Sequence, residues 1–238
     1  MHLGILKCDT VSDVFVPEHG QYPEMFATLL SSVDPTLKFT IYDAEHGELP
    51  SDLHEVDAYL ITGSRHGVND GYSWINQLEE FILRLHHAQK KVLGICFGHQ
   101  LIAKVLGGRV IKSPKGWGVG ILNNTLYIQK SWMNPQQKTI NILASHQDQV
   151  VELPFEAEVL AGSEFCPNYM MQIGNHFLTI QGHPEFTKAY SRDLMISRED
   201  TIDEQEFTRG MSSLTLNEDD EIIAQWMMNF LTLNSTTK

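Results

Sequence analysis

The sequence contains few cysteines and few basic residues for its length. Three cysteines stand among 238 residues, an odd number whose spacing does not indicate a disulfide framework, so reduced thiols are expected. Lysine and arginine number 17 against 30 acidic residues, which gives a formal net charge of −13. Because an acidic surface repels a phosphate backbone, no nucleic-acid partner is expected.

Long apolar segments and the common cofactor motifs are also missing. No apolar run reaches the roughly 20 residues of a membrane-spanning helix. The N-terminal stretch MHLGILKCDT lacks the basic region, apolar core and cleavage site of a secretory signal. We therefore expect a cytoplasmic protein with no membrane partner. No phosphate-binding loop, dinucleotide fingerprint or zinc motif is present, and neither a cofactor nor a metal ion is expected.

Short apolar runs alternate with helical patterns in the first part of the chain. This alternation predicts an α/β fold, with a doubly wound, mostly parallel sheet and helices on both faces. At 238 residues the chain is expected to form a single domain, residues 1–238. The predicted strands are Leu3–Cys8, Lys38–Tyr42, Ala58–Thr62 and Lys91–Ile95, and the predicted helices are Tyr22–Ser31 and Trp74–Gln89.

The remainder of the chain is predicted to be β-rich and to end in a helix. Gly174-Asn175 predicts a two-residue hairpin turn between the last two strands. The tail helix, Asn217–Leu231, carries an apolar face that is expected to join the core, with a dimer contact as the alternative. Acidic runs at 199–206 and 218–221 are interpreted as solvated surface. The further strands are Arg109–Ile111, Ile121–Ile128, Ile140–Ala144, Glu158–Ala161, Tyr169–Ile173 and Phe177–Gln181.

One cysteine stands where a strand pattern gives way to a helix pattern, in VLGICFGHQLIAKVLGG. Cys96 lies between Gly94 and Gly98, and glycines at this spacing permit the tight strand-to-helix turn called a nucleophile elbow. The helix, predicted to begin near Gly98, directs free N–H groups at the thiol and favours its thiolate. The alternative is an ordinary buried cysteine, since free cysteine behaves as a small apolar residue.

A histidine and a glutamate follow the last predicted strand, in FLTIQGHPEF. His183 and Glu185 are two residues apart, so both side chains leave the same side if the extended conformation continues. Imidazole is the base suited to a thiol at neutral pH, and a carboxylate fixes its tautomer. A structural histidine in a turn is the alternative. A cysteine elbow and a histidine-glutamate pair together favour a Cys-His-Glu triad.

The segments GICFGHQ and GHPE, in this order, resemble those of the class I glutamine amidotransferases. The resemblance extends from the first strand to about Phe186. It implies that Cys96 is the nucleophile, that His183 is the base and acid, and that Glu185 orients the imidazole. Its substrate would be a small molecule, either glutamine or a γ-glutamyl compound.

The resemblance also implies positions for the oxyanion-stabilising groups. The segment ITGSRHGV, residues 61–68, falls where the family has its oxyanion loop. Gly63 and Ser64 depart from the family's usual GGP-like pattern at this place. The backbone amide of Phe97, next to the nucleophile, would complete the site.

Further residues are implied to hold the substrate itself. Gln100 would help to hold glutamine. The segment SHQDQV, residues 145–150, resembles the loop whose backbone holds the α-amino-acid end of the substrate, which places His146 and Gln147 among the binding residues.

Neither an SGGxDS phosphate loop nor length for a synthetase domain is found. The resemblance is strongest to the free-standing GMP-synthase-like branch, which includes γ-glutamyl peptidases, so we expect a hydrolase that prefers γ-glutamyl amines or peptides to glutamine. The alternatives are a glutaminase subunit that delivers ammonia to a separate synthetase partner, and a catalytically silent binding module. The presence of all three triad residues disfavours the silent module.

Overall fold

The computed structural model describes residues 1–233, which form a nine-stranded sheet, a two-stranded sheet and seven α-helices. The strands are β1 (His2–Lys7), β2 (Lys38–Asp43), β3 (Ala58–Ile61), β4 (Val92–Ile95), β5 (Arg109–Lys112), β6 (Gly118–Leu126), β7 (Thr139–His146), β8 (Asp148–Glu152), β9 (Ala157–Gly162), β10 (Met170–Ile173) and β11 (Phe177–Ile180). The helices are α1 (Val16–His19), α2 (Tyr22–Ser31), α3 (Ser73–His87), α4 (Phe97–Val105), α5 (Lys188–Ile196), α6 (Glu204–Ser213) and α7 (Asp220–Thr232).

The large sheet has the order β2-β1-β3-β4-β11-β10-β9-β6-β7. Neighbouring strands from β2 to β11 are parallel, and the pairs beyond β11 are antiparallel. Strands β5 and β8 form the small sheet. The predicted α/β fold with a doubly wound, mostly parallel sheet is therefore confirmed, and so is the β-rich segment that follows Arg109.

Apolar side chains cover both faces of the large sheet. Leu3 and Ile5 of β1 join the cluster that contains α2 and α7, whereas Leu6 joins the cluster beneath α3 and α4. Successive strand residues point to opposite faces, which explains this division. The apolar face of α7, including Trp226 and Phe230, is buried in the first cluster, as the core interpretation predicted.

The structure differs from the sequence predictions at several places, and the tail helix, for example, begins at Asp220 rather than Asn217. A three-residue turn, 174–176, joins β10 to β11, so the predicted two-residue turn is wrong. Residues 145–150, expected to be a loop, lie in β7 and β8 except for Gln147. Helices α5 and α6 were not predicted. The acidic run 199–206 was interpreted as solvated surface, but the carboxylate of Glu206 accepts a hydrogen bond from the backbone N–H of Trp117 at 2.9 Å.

Four adjacent parallel strands, β1, β3, β4 and β11, end at the same edge of the sheet. The residues that follow them therefore meet in space although they are far apart in sequence, as in other open α/β sheets. No helix within residues 1–233 has the length and apolarity needed to span a bilayer.

Candidate active site

Cys96 occupies the turn between β4 and α4 in a strained backbone conformation. Its φ of 50° and ψ of −97° are unusual for a residue with a side chain. A Cβ on Gly94 would lie 2.9 Å from the Gly98 carbonyl oxygen, and a Cβ on Gly98 would lie 2.6 Å from that of Ile61. The glycine spacing thus marks a nucleophile elbow, and α4 begins at Phe97, one residue earlier than expected.

The thiol lines a cavity of about 630 Å³ at the C-terminal edge of the parallel strands. Cys96 donates its backbone N–H to the Ile180 carbonyl at 2.8 Å, which fixes the elbow to β11. The remaining thiols differ in their surroundings. Burial raises the pKa of the Cys166 thiol to about 12 and that of Cys8 further still. Of the three cysteines, Cys96 is the one that lines the cavity.

His183 and Glu185 form a buried pair beside Cys96. The His183 Nδ1 lies 2.7 Å from the Glu185 Oε1, and both side chains are almost inaccessible to solvent. The extended conformation does not continue to this pair, because β11 ends at Ile180 and a turn follows. The expectation based on alternation along a strand is wrong, although the two side chains do meet. The backbone N–H of His183 donates to the Leu143 carbonyl at 2.7 Å and anchors the turn.

The electrostatic surroundings of His183 favour its charged form. Burial alone would lower the pKa of this imidazole, but the charges of Glu185 and Cys96, together with hydrogen bonds to both, outweigh burial and raise the pKa to about 10. The ring of Phe186 stacks on the imidazole with centroids 4.0 Å apart and planes 10° apart. This arrangement places an oriented positive charge next to the sulfur.

Gly63 and Ser64, from the loop after β3, lie at the same cavity. A Cβ on Gly63 would lie 2.6 Å from His183 Cε1 and 3.6 Å from Cys96 Cβ, so glycine allows this loop to approach the reacting groups. The Ser64 hydroxyl accepts the His66 N–H at 3.1 Å and shapes the loop. The amide of Phe97 is the first of α4, and first-turn amides have no acceptor within their own helix.

Gln100 lines the cavity, and its side-chain amide contacts other protein groups. Its Nε2 donates to the Asp148 carbonyl at 2.8 Å and to the Gln181 Oε1 at 3.1 Å. The Nε2 of Gln181 in turn donates to the Cys96 sulfur at 3.6 Å. Gln181 was missed by the sequence analysis, although it stands two residues before His183 in IQGHPEF.

His146 and Gln147 also line the cavity. His146 is buried, its Nδ1 lies 3.2 Å from the Asp148 carbonyl oxygen, and burial lowers its pKa to about 4. Its ring is therefore neutral at physiological pH. The Gln147 carbonyl accepts the Ser113 N–H at 3.0 Å, which fixes the backbone between β7 and β8.

Charged and aromatic residues that the sequence analysis missed also line the cavity. Buried Asp9 accepts from both the backbone N–H and the side-chain Nε of Arg65, at 2.8 and 2.6 Å. This pair ties the loop after β1 to the loop after β3. Tyr22 and Arg198 line the same cavity. No local motif marks these residues, because the fold alone brings them together.

Within the part of the chain that the structure describes, two groups of side chains can hold a metal ion. Neither contains a residue that lines the cavity. The groups are Glu18, His19 and Asp193, and Asp43, Glu45 and His46.

Known proteins resemble this chain in sequence and in fold. Residues 16–200 match the family model described as glutamine amidotransferase class-I. The chain is 33% identical to γ-glutamyl peptidase 3 of Arabidopsis thaliana, over 96% of this chain and 95% of that protein. It is 32% identical to one subunit of the glutamine-hydrolysing GMP synthase of Sulfurisphaera tokodaii, over 56% of this chain and 69% of that protein. The crystal structure of a glutamine amidotransferase from Thermotoga maritima is similar in fold, with a TM-score of 0.72 at 18% identity, over 97% of this chain and 96% of that one.

Proposed function

Because this chain belongs to the class I glutamine amidotransferase family, we propose that it is an enzyme that cleaves the γ-amide bond of a γ-glutamyl compound. The observation that carries the proposal is the juxtaposition of Cys96, in its strained elbow, with the buried pair of His183 and Glu185. A nucleophile, a base and an orienting carboxylate are the parts that acyl transfer through a thioester requires.

The first half of the reaction forms the thioester. The Cys96 thiolate attacks the γ-carbonyl carbon, and the carbonyl π electrons move to the oxygen to give a tetrahedral intermediate. When this intermediate collapses, the C–N bond breaks and the departing amine takes a proton from His183. Glu185 holds the imidazole in position and stabilises its charged form.

The second half releases the acid product. Water attacks the thioester carbon while His183 accepts its proton, and collapse of the second tetrahedral intermediate expels the Cys96 thiolate. The products are the γ-carboxylate and the amine released earlier. Both intermediates carry an oxyanion, and the amides of Phe97 and the Gly63-Ser64 loop are the proposed donors, each contributing about 3–4 kcal/mol.

We further propose that Gln100, His146 and Gln147 bind the γ-glutamyl part of the substrate. All three line the cavity that contains Cys96. The hydrogen bonds of Gln100 and Gln147 to neighbouring protein groups hold the backbone of this wall in place. A rigid wall reduces the entropy lost when the substrate is bound.

A γ-glutamyl amine or peptide is the proposed substrate in preference to glutamine. The peptidase relative aligns with almost the whole chain, whereas the synthase relative aligns with about half of it. The cavity of about 630 Å³ is also large for a substrate whose leaving group is ammonia. The similarity to the GMP synthase subunit favours a second candidate function, that of a subunit that supplies ammonia to a synthetase partner.

A direct assay separates these functions. The purified chain is incubated with glutamine and with a γ-glutamyl dipeptide, and the released ammonia and amine are measured. We expect the dipeptide to have the higher kcat/KM and Cys96→Ser to have no measurable activity, since a hydroxyl is a much weaker nucleophile than a thiolate. Cys8→Ser, which changes a thiol outside the cavity, is the control.

Each possible result of this assay favours one of the candidate functions. Turnover of glutamine alone, or turnover that requires added cell extract, favours the ammonia-supplying subunit. Activity retained by Cys96→Ser contradicts the thioester mechanism. Absence of turnover under every condition favours a catalytically silent member of the family.

A further inference from the structure

The end of strand β11 brings a buried glutamine against the Cys96 sulfur. Strands β4 and β11 are parallel neighbours, and Ile95 at the end of one lies opposite Ile180 at the end of the other. The residues that follow, Cys96 and Gln181, are therefore adjacent at the edge of the sheet. The backbone N–H of Gln181 donates to the Tyr169 carbonyl at 2.8 Å, which fixes the glutamine in this place.

Two hydrogen bonds determine which end of the Gln181 side-chain amide faces the sulfur. The Gln100 side chain lies 2.8 Å from the Asp148 backbone carbonyl oxygen, and because a carbonyl only accepts, the contacting atom of Gln100 is its Nε2. The same Nε2 lies 3.1 Å from the Gln181 side chain, so the atom of Gln181 at this contact is Oε1. The other end of that amide, Nε2, therefore faces the Cys96 sulfur at 3.6 Å and can only donate to it.

An amide that donates to a sulfur favours the charged state of that sulfur. A hydrogen bond to an ionised acceptor is stronger than one to a neutral acceptor, so Gln181 stabilises the Cys96 thiolate more than the thiol. Both side chains are buried, so little water competes for this contact. The stabilisation applies when the thiolate is the nucleophile and again when it is the leaving group of the thioester.

Gln181 differs from the titratable groups that surround the sulfur. His183, in the turn after β11, also forms a hydrogen bond with Cys96, but it loses and regains its proton during the proposed reaction. Tyr169 and Cys166, from the segment before β10, stay neutral near physiological pH because burial raises the pKa of each, that of Cys166 to about 12. An amide does not titrate, so Gln181 donates whatever the protonation state of its neighbours.

We propose that Gln181 is a further catalytic residue, whose side-chain amide donates a hydrogen bond to the Cys96 thiolate, and that Gln100 is a positioning residue that fixes the orientation of this amide. The inference rests on the proposed function, since it adds a donor to the thioester chemistry. The Gln100 Nε2 donates to two acceptors within the protein, so Oε1 is the atom of its amide left for a substrate.

Alkylation by iodoacetamide tests the inference without a γ-glutamyl substrate, because only the thiolate reacts. The rate is measured against pH, and peptide mapping assigns the product to Cys96. Gln181→Met keeps the length of the side chain but removes the donor, and we expect it to raise the midpoint of the pH profile by about one unit. Gln181→Glu keeps the shape but places a carboxylate beside the sulfur, so the midpoint should rise further.

Gln100→Met tests the positioning role. Without Gln100 the Gln181 amide is free to turn its oxygen towards the sulfur, so the midpoint should rise, but by less than in Gln181→Met. In a chain that already carries Gln181→Met, Gln100→Met should have no further effect, as expected for a residue that acts through another. Gln172→Met is the matched control, since Gln172 is buried in β10 and does not line the cavity, and it should leave the midpoint unchanged.

An unchanged or lowered midpoint in a folded Gln181 variant would overturn the inference, and additive effects of the Gln100 and Gln181 substitutions would overturn the positioning role. If the variants do not fold, as judged by circular dichroism, the unmodified chain provides the test. The side-chain amide NMR signals of Gln181 should shift with the same midpoint as the alkylation rate, and signals that stay constant would contradict the hydrogen bond. A chain that shows the expected shifts but releases no amine from γ-glutamyl compounds contradicts the proposed function separately.

Discussion

At the scale of the residue, His183 is a buried imidazole whose charge depends on its neighbours. It has a carboxylate oxygen at 2.7 Å on one side and the Phe186 ring against its face. Burial and the nearby negative charges act in opposite directions on its pKa, and the charges prevail. The protonation state of His183 therefore depends on Glu185, and a substitution can measure how strongly.

Glu185→Gln should lower kcat by about 10²–10⁴-fold with little change in KM, since the carboxylate stabilises the charge of the imidazolium. Without the carboxylate, burial has more weight and the pKa of His183 should fall from about 10. Steady-state kinetics and NMR titration of the imidazole measure the two effects.

Glu80→Gln is the control for this prediction, because Glu80 is exposed on α3 and does not line the cavity. It should leave both the rate and the titration unchanged. If Glu185→Gln raised KM while kcat and the titration stayed the same, Glu185 would be a substrate-binding residue.

Motifs predicted the three residues that meet at the site, since Cys96, His183 and Glu185 each stand in a short segment with local chemical meaning. The partners of these residues could not be predicted in the same way. Gln181 reaches the sulfur only because β11 lies beside β4. Arg198 reaches the cavity from the turn after helix α5, and no sequence pattern connects this turn to the elbow.

At the scale of the element, helix α4 approaches strand β3 without room for a side chain between them. Gly98→Ala would bring a Cβ to within 2.6 Å of the Ile61 carbonyl oxygen. The helix start must then move, and we expect a loss of about 1–3 kcal/mol in the free energy of unfolding. Because Phe97 and Cys96 move with it, kcat/KM should fall more than tenfold.

Gly71→Ala separates this packing effect from backbone strain. Gly71 has a φ of 75°, but no atom lies within 4 Å of the Cβ that alanine would add, so this change should cost about 1–2 kcal/mol and leave activity intact. Urea unfolding and the dipeptide assay provide both readouts. A Gly98→Ala chain as stable and active as the parent would contradict the close approach.

Helices with a high apolar content were predicted from the sequence, and the more polar helices α5 and α6 were not. Helix α2 coincides with its prediction, and α3 differs by two residues or fewer at each end. Helix α6 contains one buried residue, Gly210, and Phe207 and Met211 are its only large apolar residues, so little in its sequence marks it as part of the core. It is positioned by contacts such as that of the Ser213 hydroxyl with the Ile121 N–H, at 2.8 Å.

At the scale of the whole molecule, helix α7 lies outside the matched residues 16–200 and yet belongs to the main core. Trp226 is fully buried, and its Nε1 donates to the Pro135 carbonyl at 2.9 Å. Trp226→Ala should lower the free energy of unfolding by about 3–5 kcal/mol, as expected for removing a large core side chain. Urea denaturation measures this loss.

Glu221→Ala, at an exposed position on the same helix, is the control and should change stability by less than about 0.5 kcal/mol. Trp226→Ala with nearly unchanged stability would show that α7 does not support the core. A simultaneous change from dimer to monomer would then indicate that its apolar face is a contact between copies.

Strand β11 is the last strand within residues 1–233, yet it lies in the interior of the sheet between β4 and β10. Its partner β4 is about 85 residues earlier, and parallel pairings of such separation form slowly during folding. His183 follows three residues after this strand ends. During synthesis, the ribosome therefore releases the segment that contains Cys96, the proposed nucleophile, long before the segment that contains His183, the proposed base. The candidate site can therefore assemble only after β11 has paired with β4, so the order of synthesis delays its formation.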